Sequence, residues 1–149
     1  MYDIENSIGF HLAKAYQRGF ALFKDQLDPY GLTPPQFSVL AFLWKEDGQS
    51  QTALSQKTLI DRTTIGGLVD RLEKLGLVKR QPHPEDRRAY RICLTQRGMT
   101  LERELCATAA EVLALFLAPL SEDERNSLHH LLEKIRTAPE NRHETTTNP

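Results

Sequence analysis

Seven residues in the middle of the chain have the types and spacing to hold a polyanion and read what lies beneath it: Arg62, Thr63, Thr64, Gly67, Arg71, Arg87 and Arg88. Guanidinium groups grip phosphate oxygens or guanine edges in pairs of hydrogen bonds, threonine hydroxyls donate to or accept from bases, and a glycine lets backbone approach backbone. Each has a plainer alternative. Arg87 and Arg88 would also suit a solvated turn, Thr64 could simply cap a helix with Asp61, and Arg71 could pair with a helix neighbour.

Charge supports the phosphate alternative. The formal net charge of the 149 residues is −1, so bulk attraction to nucleic acid is excluded and any such binding must come from local concentration. Between Arg62 and Arg91 eight cations face four anions, a local +4, whereas Thr100 to Pro149 holds five cations against nine anions, a local −4. One face is thereby suited to phosphate and the other is not.

Other chemistries find less to work with. Cys93 and Cys106 have neither metal-ligand spacing nor the density of a disulfide framework, and fit a reducing compartment. His129 and Glu133 share a helix face but lack a convergent third ligand, so no metal is expected. Gly66-Gly67 lacks the spacing of a phosphate loop, no nucleophile and base stand together, and neither an enzyme nor a cofactor is expected. The N-terminus carries no basic flank with an apolar run, and the longest apolar stretch, Val112 to Leu120, is too short to span a bilayer, so a cytoplasmic protein is expected.

The elements that position these residues follow from periodicity. Ile8, Leu12, Tyr16, Phe20, Phe23 and Leu27 recur at helical intervals, predicting one long helix ending near Pro29. Thr33-Pro34-Pro35-Gln36 is a capping box that starts a second helix, packing through Phe37, Leu40, Ala41 and Trp44. A short helix from about Thr52 to Leu59 is expected to give Leu54 and Leu59 to the core. Asp61 then caps a helix with Ile65, Leu68, Val69, Leu72 and Leu75 on one side, leaving the candidate reading residues elsewhere on its surface. Its two glycines cost about 1 kcal/mol each relative to Ala.

Past Gly76 the period becomes two. Val78 and Arg80 begin one strand; in its partner Tyr90, Ile92 and Leu94 face one way and Arg91 and Cys93 the other, with Pro82 to Asp86 as turn. Helix, turn, short exposed helix and basic ribbon form a winged helix-turn-helix, the arrangement of a DNA-binding regulator. Thr95 is expected to cap one long helix with two apolar stripes, through Leu101, Leu105, Val112 and Phe116 and through Leu113, Leu117 and Leu120. Ser121 to Glu124 opens a last helix that buries Leu128, Leu131, Leu132 and Ile135.

The fold class is therefore mainly α with a small β wing. Residues 1–138 form one domain, with 33–95 the winged helix-turn-helix, 1–30 and 96–138 dimerisation helices, and 139–149 a disordered tail. The apolar surplus of both ends calls for a second copy, and a two-fold dimer sets its recognition helices roughly 34 Å apart, the spacing of an inverted repeat.

The segments Gly31-Leu32-Thr33, Leu68 to Val78, Asp86-Arg87-Arg88-Ala89-Tyr90 and Leu94-Thr95 resemble the multiple-antibiotic-resistance regulator (MarR) family over nearly the whole chain. The resemblance implies a homodimeric winged-helix transcription factor, usually a repressor released from double-stranded DNA by a small aromatic or phenolic ligand. It sets Thr63 and Thr64 against base edges, Arg62 and Arg71 beside them, and Arg87 at the wing tip in the minor groove, with Asp86 orienting the arginines. Gly67 departs from the larger polar or basic residue often found there. The resemblance also implies an effector pocket where the first helix meets the second and fifth. His11, Lys14 and Arg18 would hold a carboxylate there, with Phe37 or Trp44 over the ring; the plain alternative is a solvated helix edge. Two further classes stay open: a redox-sensing regulator of the same fold, and a winged helix that binds protein instead of DNA.

Overall fold

The computed structural model describes residues 1, 3–86 and 88–140. It contains two compact units, the first running from Met1 to Phe116 and the second beginning at Leu117. In the first, α1 (Ile8–Leu27) opens on Ser7, whose side chain accepts the Phe10 N–H at 3.2 Å. A 3₁₀ turn (Asp28–Tyr30) and Gly31, at φ +68°, lead to α2 (Pro34–Lys45). The capping box forms there, with the Gln36 side chain accepting the Thr33 N–H at 2.9 Å.

Helix α2 is the centre of the core. Val39, Leu40 and Leu43 are completely buried, while Phe37, Ala41 and Trp44 are only partly so. The single stripe expected from sequence is thus displaced. Because α1, α3, α4, α6 and β3 all pack on α2, no one side of it serves as the apolar face.

After Gly48, Gln49–Ser50 form a two-residue strand, β1, which the sequence did not announce because two polar residues carry no alternation. Next come α3 (Gln51–Thr58) and α4 (Arg62–Lys74), the two helices of the helix-turn-helix. Leu54 is buried as expected, but Leu59 is 70% exposed. Leu59 ends α3 in the left-handed conformation at φ +58°, and Ile60 takes the place against the core that Leu59 was expected to fill. Ile65, Val69 and Leu72 anchor α4 with no exposed surface.

The wing is β2 (Val78–Pro82) against β3 (Tyr90–Leu94), antiparallel, with Val78 opposite Leu94 and Arg80 opposite Ile92. Including β1 the sheet has three strands in the order β1-β3-β2, so Pro82 closes an edge strand, where its missing N–H does no harm. The expected alternation in β3 fails at two positions. Tyr90 is 53% exposed because it lies past the core, and Cys93, on the supposed outer face, is buried beneath the loop at Gly48.

The long helix expected after Thr95 is two: α5 (Gln96–Thr100) and α6 (Glu102–Phe116). The Trp44 indole N–H donates at 2.9 Å to the Gly98 carbonyl, the acceptor an unbroken helix would offer to Glu102. The core is one cluster drawn from α1 to α4, the β2–β3 wing and α6, including Leu27, Leu32, Leu77, Ile92 and Leu105.

In the second unit α7 (Glu122–Arg136) starts on the reciprocal capping box of Ser121 and Glu124. It has no buried residue: Leu131, Leu132 and Ile135 are exposed and Leu128 half-buried, against the expectation that all four are covered. Similarly, α1 leaves Ile8, Leu12 and Tyr16 exposed, and α6 leaves Leu113 and Leu115 so. A single chain does not cover the apolar faces it carries. No helix among the described residues is long and apolar enough to cross a membrane.

Candidate nucleic-acid interface and effector pocket

The start of α4 is set by Asp61. One carboxylate oxygen accepts the Thr64 N–H at 2.9 Å and the other its hydroxyl at 2.6 Å. These bonds, the hydroxyl first, hold the Asp61 carboxyl below its usual pKa. With its proton committed to Asp61, the Thr64 hydroxyl keeps only acceptor capacity for anything outside. Arg62, Thr63, Gly67 and Arg71 are exposed on the same helix, and among the described residues neither arginine makes an ion pair. A Cβ at Gly67 would meet nothing within 4 Å, so packing within this chain does not demand the glycine, and bare backbone is left on the open face.

Arg80 does not join this free charge. Its guanidinium lies 2.7 Å from Asp70 and 3.1 Å from Glu73, so one of the cations that made the middle of the sequence basic is engaged within the fold. Sequence position gave little warning of this. The available signal was two acids three residues apart on a helix otherwise suited to meet phosphate, which need a cation nearby.

The wing tip is a built turn. Asp86 accepts the Arg88 N–H through its carboxylate at 2.9 Å and the Ala89 N–H through its carbonyl at 3.1 Å, while the His83 N–H donates to the Ala89 carbonyl at 2.9 Å. Arg88 is exposed; Arg87 lies outside the described residues.

On another side of the core is a cavity of about 590 Å³. Helix α1 contributes Tyr16, Gly19, Phe20 and Phe23, α2 contributes Phe37 and Ser38 beside Pro34 and Pro35, and α6 contributes Val112, Leu113 and Phe116; Ile60 completes it. Phe23 and Phe37 meet edge to face, with ring centroids 4.8 Å apart. Gly19 has a positive role here, since a Cβ would lie 3.3 Å from the Phe116 ring.

Of the residues that sequence put forward for an effector, Phe37 is on the wall. Arg18 is not part of the wall, but its guanidinium lies 5.6 Å from the centre of the ring of Phe116, which is. The other three are elsewhere. Lys14 lies over Phe10 and donates to Gln17, His11 sits edge-on to the same Phe10, and Trp44 is behind Phe37 with its N–H committed to Gly98. Phe20, Phe23, Ile60 and Phe116 were missed as wall residues, because a helical stripe of aromatics reads as core whether or not a cavity opens beside it. Cys106 is exposed: Leu105 takes the inward face of α6, and the next residue turns about 100° away.

Comparison with known proteins identifies the family. Residues 30–89 match the family model described as the MarR family. The HTH-type transcriptional repressor NicR of Pseudomonas putida is 36% identical over 140 residues, covering 94% of this chain and 89% of that one. The structure of Bordetella bronchiseptica BpsR, whose DNA binding is regulated by 6-hydroxynicotinic acid, superposes with a TM-score of 0.88 at 30% identity, over 93% of this chain and 99% of that one. CouR of Rhodococcus jostii, solved with p-coumaroyl-CoA, gives 0.80 at 26% identity, over 93% and 98%. A winged helix-turn-helix with an exposed recognition helix, a turn-capped basic ribbon and relatives matched almost end to end leads to one assignment: this chain belongs to the MarR family of transcription regulators.

Proposed function

We propose that the protein is a cytoplasmic homodimeric repressor that binds an inverted repeat in double-stranded DNA and is released by a small aromatic ligand. The observation that carries the ligand is the cavity itself: about 590 Å³, walled almost wholly by apolar and aromatic side chains, with one residue of its wall, Ile60, directly preceding the Asp61 cap of α4. Its size falls within the range of ligand pockets, and a wall of phenylalanine rings, two of them edge to face, favours a planar ring. Arg18, whose guanidinium lies over the Phe116 ring, is our candidate partner for a carboxylate, and the room beyond one ring admits a longer acyl chain. Such ligands match those of BpsR and CouR in kind.

Thr63 and Thr64 take base edges, Arg62 and Arg71 the flanking phosphates or bases, and Arg87 and Arg88 the groove and backbone beside them, while Gly67 admits close backbone approach. The uncovered apolar residues of α1, α6 and α7 form the interface with a second copy. The test is sequencing of genomic fragments retained by the purified protein at near-physiological salt, followed by titration of the retained complex with aromatic acids. A shared inverted repeat released by one such acid is expected. Retention without a common site refutes sequence-specific repression, and a repeat insensitive to every aromatic acid refutes the ligand.

A further inference from the structure

Arg80 occupies an inward position on β2, two residues after the buried Val78, where a guanidinium must find partners. Its Nη2 lies 2.7 Å from Asp70 Oδ1 and donates to the Gly66 carbonyl at 3.4 Å. Nη1 donates to Glu73 Oε1 at 3.1 Å, and Nε and Nη2 reach Gln51 Oε1 at 3.4 and 3.3 Å. The Arg80 backbone N–H adds a bond to Glu73 Oε2 at 3.3 Å. One side chain thus ties the root of the wing to the first residue of α3 and to successive turns of α4. Among the cations from Arg62 to Arg91, it is the one with ion pairs in the described residues.

From this juxtaposition of Arg80 with Gln51, Gly66, Asp70 and Glu73, we infer that Arg80 is a positioning residue for DNA recognition. It fixes the angle between wing and recognition helix without touching DNA. The inference deepens the proposed function and rests on its sequence-specific binding. Both parts must meet the duplex at once, and the wing is a lever. From Arg80 to Asp86 is six residues, at most roughly 20 Å at about 3.3 Å each, so a rotation of about 10° moves the tip by up to about 3 Å. That is enough to remove a hydrogen bond. The clamp also resolves why a helix suited to phosphate carries Asp70 and Glu73: they are the fixed points on which Arg80 closes.

Two variants separate positioning from charge. Arg80→Met removes the clamp, and the double variant Asp70→Asn, Glu73→Gln removes its anchors while adding two units of positive charge to the recognition surface. Affinity of the full-length dimers is measured for the duplex that the wild type enriches from a random pool and for a shuffled duplex of equal length, across a range of salt. Discrimination between the two duplexes is expected to fall at least tenfold in both variants, with the salt dependence of Arg80→Met unchanged. A slope reduced by about one in Arg80→Met marks Arg80 as a phosphate ligand and overturns the inference. So does a double variant that binds the enriched duplex more tightly with discrimination intact; this variant alone decides the matter should Arg80→Met not fold. Failure of the wild type to enrich any duplex is a distinct result and refutes the proposed function instead.

Discussion

Gly98 is the position where a single methyl has the largest calculable consequence. It lies in α5, and a Cβ built there falls 2.1 Å from the Leu77 carbonyl oxygen and 3.2 Å from Leu94 Cδ2. Since carbon and oxygen settle near about 3.3 Å, Gly98→Ala forces a separation of about 1 Å between two backbone segments. Two hydrogen bonds of the displaced segments are strained by it. The Leu77 carbonyl accepts the Thr95 N–H at 3.0 Å, and the Gly98 carbonyl accepts the Trp44 indole at 2.9 Å. Losing both costs about 1 kcal/mol each and overpacking about 1–3 kcal/mol, against which alanine regains about 1 kcal/mol of helix propensity. The net is a destabilisation of about 2–4 kcal/mol, a large part of a typical total of about 5–15 kcal/mol. Urea unfolding at fixed protein concentration reads this as a lowered midpoint with an unchanged slope. Gly67→Ala is the control, because its Cβ meets nothing and propensity alone acts, raising the midpoint by up to about 1 kcal/mol equivalent. Equal midpoints for Gly98→Ala and wild type would refute the reasoning.

At the recognition helix, bonds from Thr64 lower the Asp61 pKa in the fold, so its contribution is present above the ordinary carboxylate range and is lost as pH falls through the folded value. Asp61→Asn is therefore expected to flatten part of the acid limb of a stability–pH curve, and an identical limb speaks against the cap. In the wing, Arg88→Ala and Arg87→Ala should each weaken operator binding by about 1–3 kcal/mol and reduce the salt slope by about one; unchanged affinity in both removes the wing from the interface. Burial raises the thiol pKa of Cys93, as desolvation and then Glu102 raise that of Cys106, so both are protonated at neutral pH. Iodoacetamide labelling is expected to be slow at pH 7 and to climb through pH 9, and rapid labelling at pH 7 would reopen a redox sensor.

The parts of the fold legible in sequence were those written in local chemistry. Asp61 with Thr64, Ser121 with Glu124 and Thr33 with Gln36 declare helix starts because the side chain that caps is itself the signal. What failed depended on neighbours distant in sequence. Leu59 looked like core until the left-handed end of α3 turned it outward, and the helix after Thr95 looked continuous until Trp44 took the Gly98 carbonyl. The site divides along the same line. Exposed residues on a capped helix can be found from their period, but the wall of a cavity is defined by what does not fill it, and Phe20 and Phe116 carry no mark to distinguish lining from core.

The two sites share a frame, which sets a condition on the proposed release. Phe37 on the cavity wall and the buried Val39, Leu40 and Leu43 belong to one helix, α2, on which α4 packs. At the other edge Ile60 lines the cavity, its carbonyl held by the Ser55 hydroxyl at 2.5 Å, and the next residue is the cap of the recognition helix. A close-packed interior transmits displacement instead of absorbing it, so an occupant that moves Ile60 or Phe37 moves α4. Occupancy alone does not suffice. A ligand that fits the cavity equally well with the protein on or off DNA shifts nothing however tightly it binds, and a hundredfold loss of operator affinity demands about 2.7 kcal/mol of preference for the released form. Selectivity among aromatic acids for relief of repression therefore follows from how far each pushes on Ile60 and Phe37, and the tightest-binding acid need not be the strongest inducer.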